Sequence, residues 1–168
     1  MRAKRGADIL GLTSRQFGKT TAAAICLAHT AIFEAGTTSV VACPSQPQGA
    51  EAIRKVNDMA VKAGAKLTVD NVNRIELENG SRVIALPATD GTVRGLTVSG
   101  WIIADEAARL PADLIAALRP MRARCPNARF VMISTAWSRT DQFWLAWSSN
   151  QNWQRIKATI EEYPAIAE

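Results

Sequence analysis

Four short apolar runs, rich in β-branched residues, set the strongest limit on how this chain can fold. They are DILGLT at 8–13, TSVVAC at 38–43, WIIA at 101–104 and ARFVMIS at 128–134. None shows the polar–apolar alternation of a strand with one wet face, so each reads as a strand covered on both sides. Helical spacing separates them. Thr20 to about Glu34 is apolar on most faces, the pattern of a helix buried between layers, and Gly36 is placed to end it. Gln46 to Gly64 carries Ala50, Ile53, Val56, Met59 and Ala60 at helical intervals, and Pro111 to Arg122 is also helical. Arg74–Glu78 and Arg82–Leu86 alternate around Asn79-Gly80, which predicts a hairpin with a type I′ turn. A short helix bearing Phe143, Trp144 and Trp147 and a strand from Trp153 to Ile160 close the chain. Buried strands alternating with helices imply an α/β fold of three layers, with a mostly parallel central sheet and one inserted β-hairpin.

The 168 residues suffice for one domain with a real core, and 48% hydrophobic against 21% charged residues excludes disorder over most of the length. No run approaches the roughly 18 apolar residues of a spanning helix. The basic N-terminus fails as a secretory signal because Arg15 and Lys19 interrupt the apolar stretch behind it. Twenty Lys and Arg against fifteen Asp and Glu give a net charge of +5, which favours a polyanionic partner. Cys26, Cys43 and Cys125, odd in number and far apart, suit buried thiols rather than disulfides or zinc. His29 reads as structural, having no partner at metal-ligand spacing.

Gly18-Lys19-Thr20 follows a strand and opens a helix, the setting of a phosphate-binding loop. Free backbone N–H groups at a helix N-terminus attract phosphate, a lysine there reaches the β- and γ-phosphates, and the hydroxyl ligates Mg²⁺. The generic pattern wants glycine where Thr13 stands, but the strand-then-helix setting favours phosphate binding over an ordinary strand-to-helix turn. Asp105-Glu106 ends the third apolar run: Asp105 would hold Mg²⁺ and Glu106 would polarise water, unless the pair merely terminates a strand. Arg15, within the loop, and Arg94, beyond a Gly/Thr-rich stretch, are candidates to stabilise γ-phosphoryl charge in cis and from a neighbouring subunit; both also read as solvated charges. Ser134-Thr135 ends the fourth run, where hydroxyls sense phosphate or simply cap a strand. The tryptophans at 137, 144, 147 and 153 read as packing for the C-terminal edge, with base stacking as the alternative. Arg119, Arg122, Arg124 and Arg129 form an acid-free basic stretch, either facing DNA phosphates or solvated.

Ser14-Arg15-Gln16-Phe17-Gly18-Lys19-Thr20-Thr21 with Ala24-Ile25-Cys26-Leu27-Ala28-His29 resembles the large terminase subunit of tailed bacteriophages. The resemblance continues through Leu77-Glu78-Asn79-Gly80-Ser81, Val93-Arg94-Gly95, Ile103-Ala104-Asp105-Glu106-Ala107 and Ile133-Ser134-Thr135. It implies a P-loop NTPase of ASCE, RecA-like type, whose ATP hydrolysis drives double-stranded DNA into a procapsid. On that resemblance residues 14–21 bind ATP, Thr20 and Asp105 hold Mg²⁺, and Glu106 is the catalytic carboxylate. Arg15 is the cis arginine, Arg94 stands where some members carry a trans arginine, and Ser134-Thr135 matches the coupling motif. Ala136-Trp137 departs from that motif's usual continuation. Implied partners are the portal protein, the small terminase subunit and further copies in a ring, usually pentameric, assembled in the host cytoplasm and without a membrane. The family's longer N-terminal, adenine-cradling segment and its nuclease are not matched here. Residues 1–160 would form the ATPase domain and 161–168 the start of a nuclease linker, leaving no DNA cleavage to this chain. Two other readings stand beside this one: another ASCE translocase of helicase type, and a truncated, catalytically impaired nucleotide-binding remnant.

Overall fold

The apolar runs assemble into one sheet of eight strands. The computed structural model describes residues 6, 8–15, 17–88 and 95–158. The strands are β1 (Asp8–Thr13), β2 (Thr38–Cys43), β3 (Leu67–Asn71), β4 (Arg74–Leu77), β5 (Arg82–Pro87), β6 (Trp101–Asp105), β7 (Arg129–Ser134) and β8 (Gln154–Ala158), in the order β3-β4-β5-β2-β6-β7-β1-β8. From β5 to β8 every neighbouring pair is parallel, and among the described strands β4 alone runs against the rest. The helices are α1 (Lys19–Phe33), α2 (Gln46–Lys62), α3 (Ala112–Leu118) and α4 (Gln142–Ser148), with 3₁₀ turns at Ala107–Arg109 and Arg119–Arg122. None is long and apolar enough to cross a membrane.

Register explains why both faces of the strands are apolar. Ile9, Val131, Ile103 and Val41 stand side by side and pack under α1 and α2. One residue further along, Leu10, Met132, Ala104 and Ala42 align and face Leu114, Leu118, Phe143 and the 107–110 turn. The result is the expected three layers. A fully buried side chain such as Phe130 contributes about 1.5–3 kcal/mol of transfer free energy to this core.

Three local expectations change. α1 is not buried all round: Ala24, Leu27 and Ala31 meet the sheet, but Ile25 and Phe33 are 54% and 70% exposed, because an outer-layer helix has only one covered face. His29 is exposed and its ring lies 4.8 Å from that of Phe33. The hairpin turn is not type I′, which would need positive φ at both central residues. Only Gly80, at φ 80°, is left-handed there; Glu76 pairs with Arg82 and Leu77 N–H donates to the Ser81 carbonyl at 2.8 Å, leaving residues 78–80 as a three-residue loop of the glycine-bulge kind. That register sets Ile75 opposite Val83, both fully buried; the two-residue loop would have turned one of them outward. Finally, β3 has no counterpart in the sequence reading, because LTVDN is short, polar and mostly exposed.

The turn also closes α1. Asn79 Nδ2 donates to the carbonyls of Ala31 and Ile32 at 2.9 and 3.2 Å, and Gly36 N–H donates to the Asn79 carbonyl. The two helix carbonyls belong to the last turn, where no N–H of the helix itself is left to reach them. At the same, N-terminal edge of the sheet the basic stretch is used structurally. Arg119 and Arg122 pair with Asp8 at the start of β1, Arg119 also stacks on Trp153, and Arg129 lies over Trp101. Arg124 remains exposed.

Candidate active site

At the carboxyl edge, β1 gives way to a turn that leads into α1. Gly18 precedes the first helical residue with φ 76° and ψ 20°, and no side chain caps the helix. A β-carbon there would meet nothing within 4 Å, so the backbone conformation, rather than space, calls for glycine. Helical bonding begins with Ala22 N–H to the Gly18 carbonyl, so the N–H groups ahead of it have no acceptor within the helix. Lys19 folds back over the turn: its Nζ donates to the Ser14 carbonyl at 3.3 Å, and 8% of its side chain is exposed. Ser14 N–H in turn donates to the Ala158 carbonyl, fixing the turn to the end of β8.

The acidic pair comes from β6, two strands away across β7. Asp105, 5% exposed, accepts the Thr20 hydroxyl on Oδ2 at 2.8 Å and the Glu106 N–H on Oδ1 at 3.0 Å. Burial lifts its carboxyl above the usual range and Glu106 adds to the rise, while the Thr20 bond and Lys19 pull it back. Glu106 has φ 51° and ψ 45°, making it the one left-handed non-glycine residue among those described. That conformation costs a residue with a β-carbon about 1–2 kcal/mol. It also breaks strand alternation, and so two consecutive carboxylates reach the same loop: Glu106 Oε1 lies 3.6 Å from Lys19 Nζ.

The structure thus brings Ser14, Gly18, Lys19, Thr20, Asp105 and Glu106 together. Thr21 accepts a hydrogen bond from Lys55 Nζ at 3.2 Å, and Phe17 is half-buried beside the loop. Arg15 is exposed in the turn. Ser134, fully buried at the end of β7, accepts the Ala108 N–H at 3.2 Å, and Thr135 is half-buried next to it. Gln16 and Arg94 lie outside the described residues, as does the chain beyond 158. Lys55 has no signal in the sequence, because a lysine on the polar face of an amphipathic helix looks like any solvated charge. Cys43, at the end of β2, is buried; desolvation, with the Asp105 charge, pushes its thiol up to about 12. No group of three or more His, Cys, Asp or Glu side chains converges among the described residues. The available donors, the Thr20 hydroxyl and the Asp105 carboxylate, are hard oxygens. They suit an ion such as Mg²⁺, which takes few protein ligands and completes its shell with phosphate and water.

Comparison with known proteins gives a consistent answer. The family model of the terminase large subunit, T4likevirus-type, N-terminal, matches residues 10–167. No curated protein sequence matches. Among solved structures, the large terminase ATPase domain of Thermus phage P74-26 superposes with a TM-score of 0.83 at 15% identity, over 99% of this chain and 81% of that one. The large terminase of a thermophilic bacteriophage in complex with ATP-gamma-S gives 0.73 at 14% identity, covering 95% of this chain and 41% of that one. The N-terminal domain of the DNA packaging ATPase from bacteriophage phi29 gives 0.60 at 21% identity, over 83% and 79%. At such identities the structural matches establish the fold, and the family match extends over nearly the whole length. The chain belongs to the terminase large-subunit family, T4-like-virus type, as its N-terminal ATPase domain.

Proposed function

We propose that this chain binds ATP on the 14–21 loop and hydrolyses it, and that hydrolysis drives double-stranded DNA into a procapsid. One observation carries the reading: Thr20 bonds to Asp105 while Lys19 faces Glu106, so two motifs 85 residues apart form one site. In this reading the N–H groups at the start of α1, which lack acceptors within the helix, receive the β- and γ-phosphates. Lys19 leaves the Ser14 carbonyl and Glu106 for phosphate oxygens, which frees Glu106 to orient and polarise the attacking water. Thr20 and Asp105 would hold Mg²⁺, which would supply positive charge to offset that developing on the phosphates. Arg15 serves the γ-phosphoryl group in cis, Arg94 serves the site of a neighbouring copy, and Ser134-Thr135 relays the phosphate state. The ring of copies on the portal and the small terminase subunit belong to this proposal, which the family membership supports. The complex of the thermophilic-phage relative with ATP-gamma-S supports the nucleotide class.

The test is Glu106→Gln. Magnesium-dependent ATP hydrolysis is expected to fall by about 10²–10⁴-fold, the usual contribution of a general base, while ATP binding measured by calorimetry survives. Turnover at the wild-type rate would remove Glu106 from the role.

A further inference from the structure

Arg109 stands on the far side of the short turn that starts at Glu106, and nothing in the phosphate-loop chemistry uses it. The 107–109 turn is anchored at three places. Its first hydrogen bond runs from Arg109 N–H to the Glu106 carbonyl at 2.8 Å. Ala108 N–H donates to the buried Ser134 hydroxyl. The Arg109 guanidinium carbon lies 4.2 Å from the centre of the Trp137 ring, a cation–π contact between two exposed residues. Trp137 itself is 60% exposed, so core packing does not explain its position. It sits on the irregular segment that joins β7 to α4. That segment is tied to α4 at its other end, where Asp141 accepts the N–H groups of Ser138 and Trp144 at 2.9 and 2.7 Å. Beneath Trp137 lies a cleft of about 260 Å³ walled by Leu12, Phe143, Trp144 and Trp147. Leu12 is two residues from the loop, so the same aromatic cluster touches the strand that leads into it.

A left-handed glutamate needs its surroundings to hold it there, since the chain gains by relaxing. We infer that Arg109 is a positioning residue: by stacking on Trp137 it braces the 107–109 turn, keeps the Glu106 carboxylate aimed at the loop, and links that carboxylate to α4. The inference rests on the hydrolytic reading of Glu106 given above.

The experiment measures ATP hydrolysis and calorimetric ATP binding for Arg109→Ala, Arg109→Lys, Trp137→Ala, Trp137→Phe and the Arg109→Ala/Trp137→Ala pair. Arg109→Ala should lower kcat by about ten- to a hundredfold, the cost of a small misplacement, with ATP affinity unchanged within about twofold. Trp137→Ala should match it, the double variant should lose no more than either single one, and Arg109→Lys and Trp137→Phe should recover most of the rate. An unaltered kcat in Arg109→Ala, losses that multiply in the double variant, or equal loss of binding and turnover would each overturn the inference. Amide hydrogen exchange tests the brace even if the wild-type chain shows no hydrolysis, an outcome that would defeat the functional reading alone. Exchange at 107–109 should quicken at least about tenfold in Arg109→Ala and in Trp137→Ala, while the first turn of α1 stays as it was. Unchanged exchange at 107–109 would dismiss the brace.

Discussion

Asp105 shows how a single side chain trades stability for chemistry. Its carboxyl is nearly fully buried, and the Thr20 hydroxyl and Glu106 N–H do not cancel the cost of desolvation, so its proton affinity is raised in the folded protein. Between the ordinary carboxylate value of 3.8 and that raised value the native state binds more protons than the unfolded one. Stability from this group therefore falls as pH rises through the window, and the deficit persists to neutral pH. An asparagine side chain in its place would be neutral throughout, could accept the Glu106 N–H on its oxygen and donate to the Thr20 hydroxyl. Asp105→Asn in metal-free buffer should thus unfold at the same urea concentration as wild type or a higher one at pH 7, the gap closing toward pH 4. Denaturant melts across that range check it; a variant less stable at pH 7 would show that the carboxylate is compensated. The pairing of Thr20 with Asp105 is legible in the sequence because each side carries a motif. The left-handed turn at Glu106, the Lys55 bond to Thr21 and the stack of Arg109 on Trp137 are not. These are contacts between residues with no local signature, decided by how the elements settle on one another.

Among elements, legibility follows burial. β1, β2, β6 and β7 are readable because central parallel strands need apolar residues on both faces, and their boundaries match within a residue. β3 is not, because an exposed edge strand asks little of its side chains. The helix after Pro111 breaks into α3 and a 3₁₀ turn, since Pro120 removes a donor. The hairpin is legible but its turn type is not, and the reason is tertiary. Asn79 serves the end of α1 rather than a left-handed backbone, its Nδ2 reaching Ala31 and Ile32 while its Oδ1 accepts the Ser81 N–H at 3.0 Å. Asn79→Ala should destabilise the domain by about 1–2 kcal/mol, or roughly 2–8 °C in Tm. Asn79→Gly separates the two accounts: it suits a type I′ turn and would then be harmless, whereas here it should lose nearly as much as alanine. Thermal melts of the two variants side by side decide between a backbone role and a clamp.

Across the whole molecule, the order β6-β7-β1 places the two halves of the site on strands separated by one neighbour, with α1 rising from the nearer one. A triphosphate bound there would touch the start of α1 and the end of β6 together, so binding and global stability are linked. Two arginines that could draw a polyanion elsewhere are occupied at the opposite edge, where Arg119 and Arg122 hold Asp8. A ligand that binds only the folded state at a hundred times its Kd adds about 2.7 kcal/mol. At about 2–4 °C per kcal/mol for a domain of this size, ATP-gamma-S with magnesium should raise Tm by roughly 5–11 °C. Lys19→Ala removes the cation proposed to leave Glu106 for phosphate and should abolish most of the shift, and chelating the magnesium should diminish it in the wild type. Differential scanning fluorimetry with these controls checks the point. An equal shift in Lys19→Ala would mean that the nucleotide settles away from the loop, and the bond between Thr20 and Asp105 would then be a strand-end contact with no chemistry attached to it.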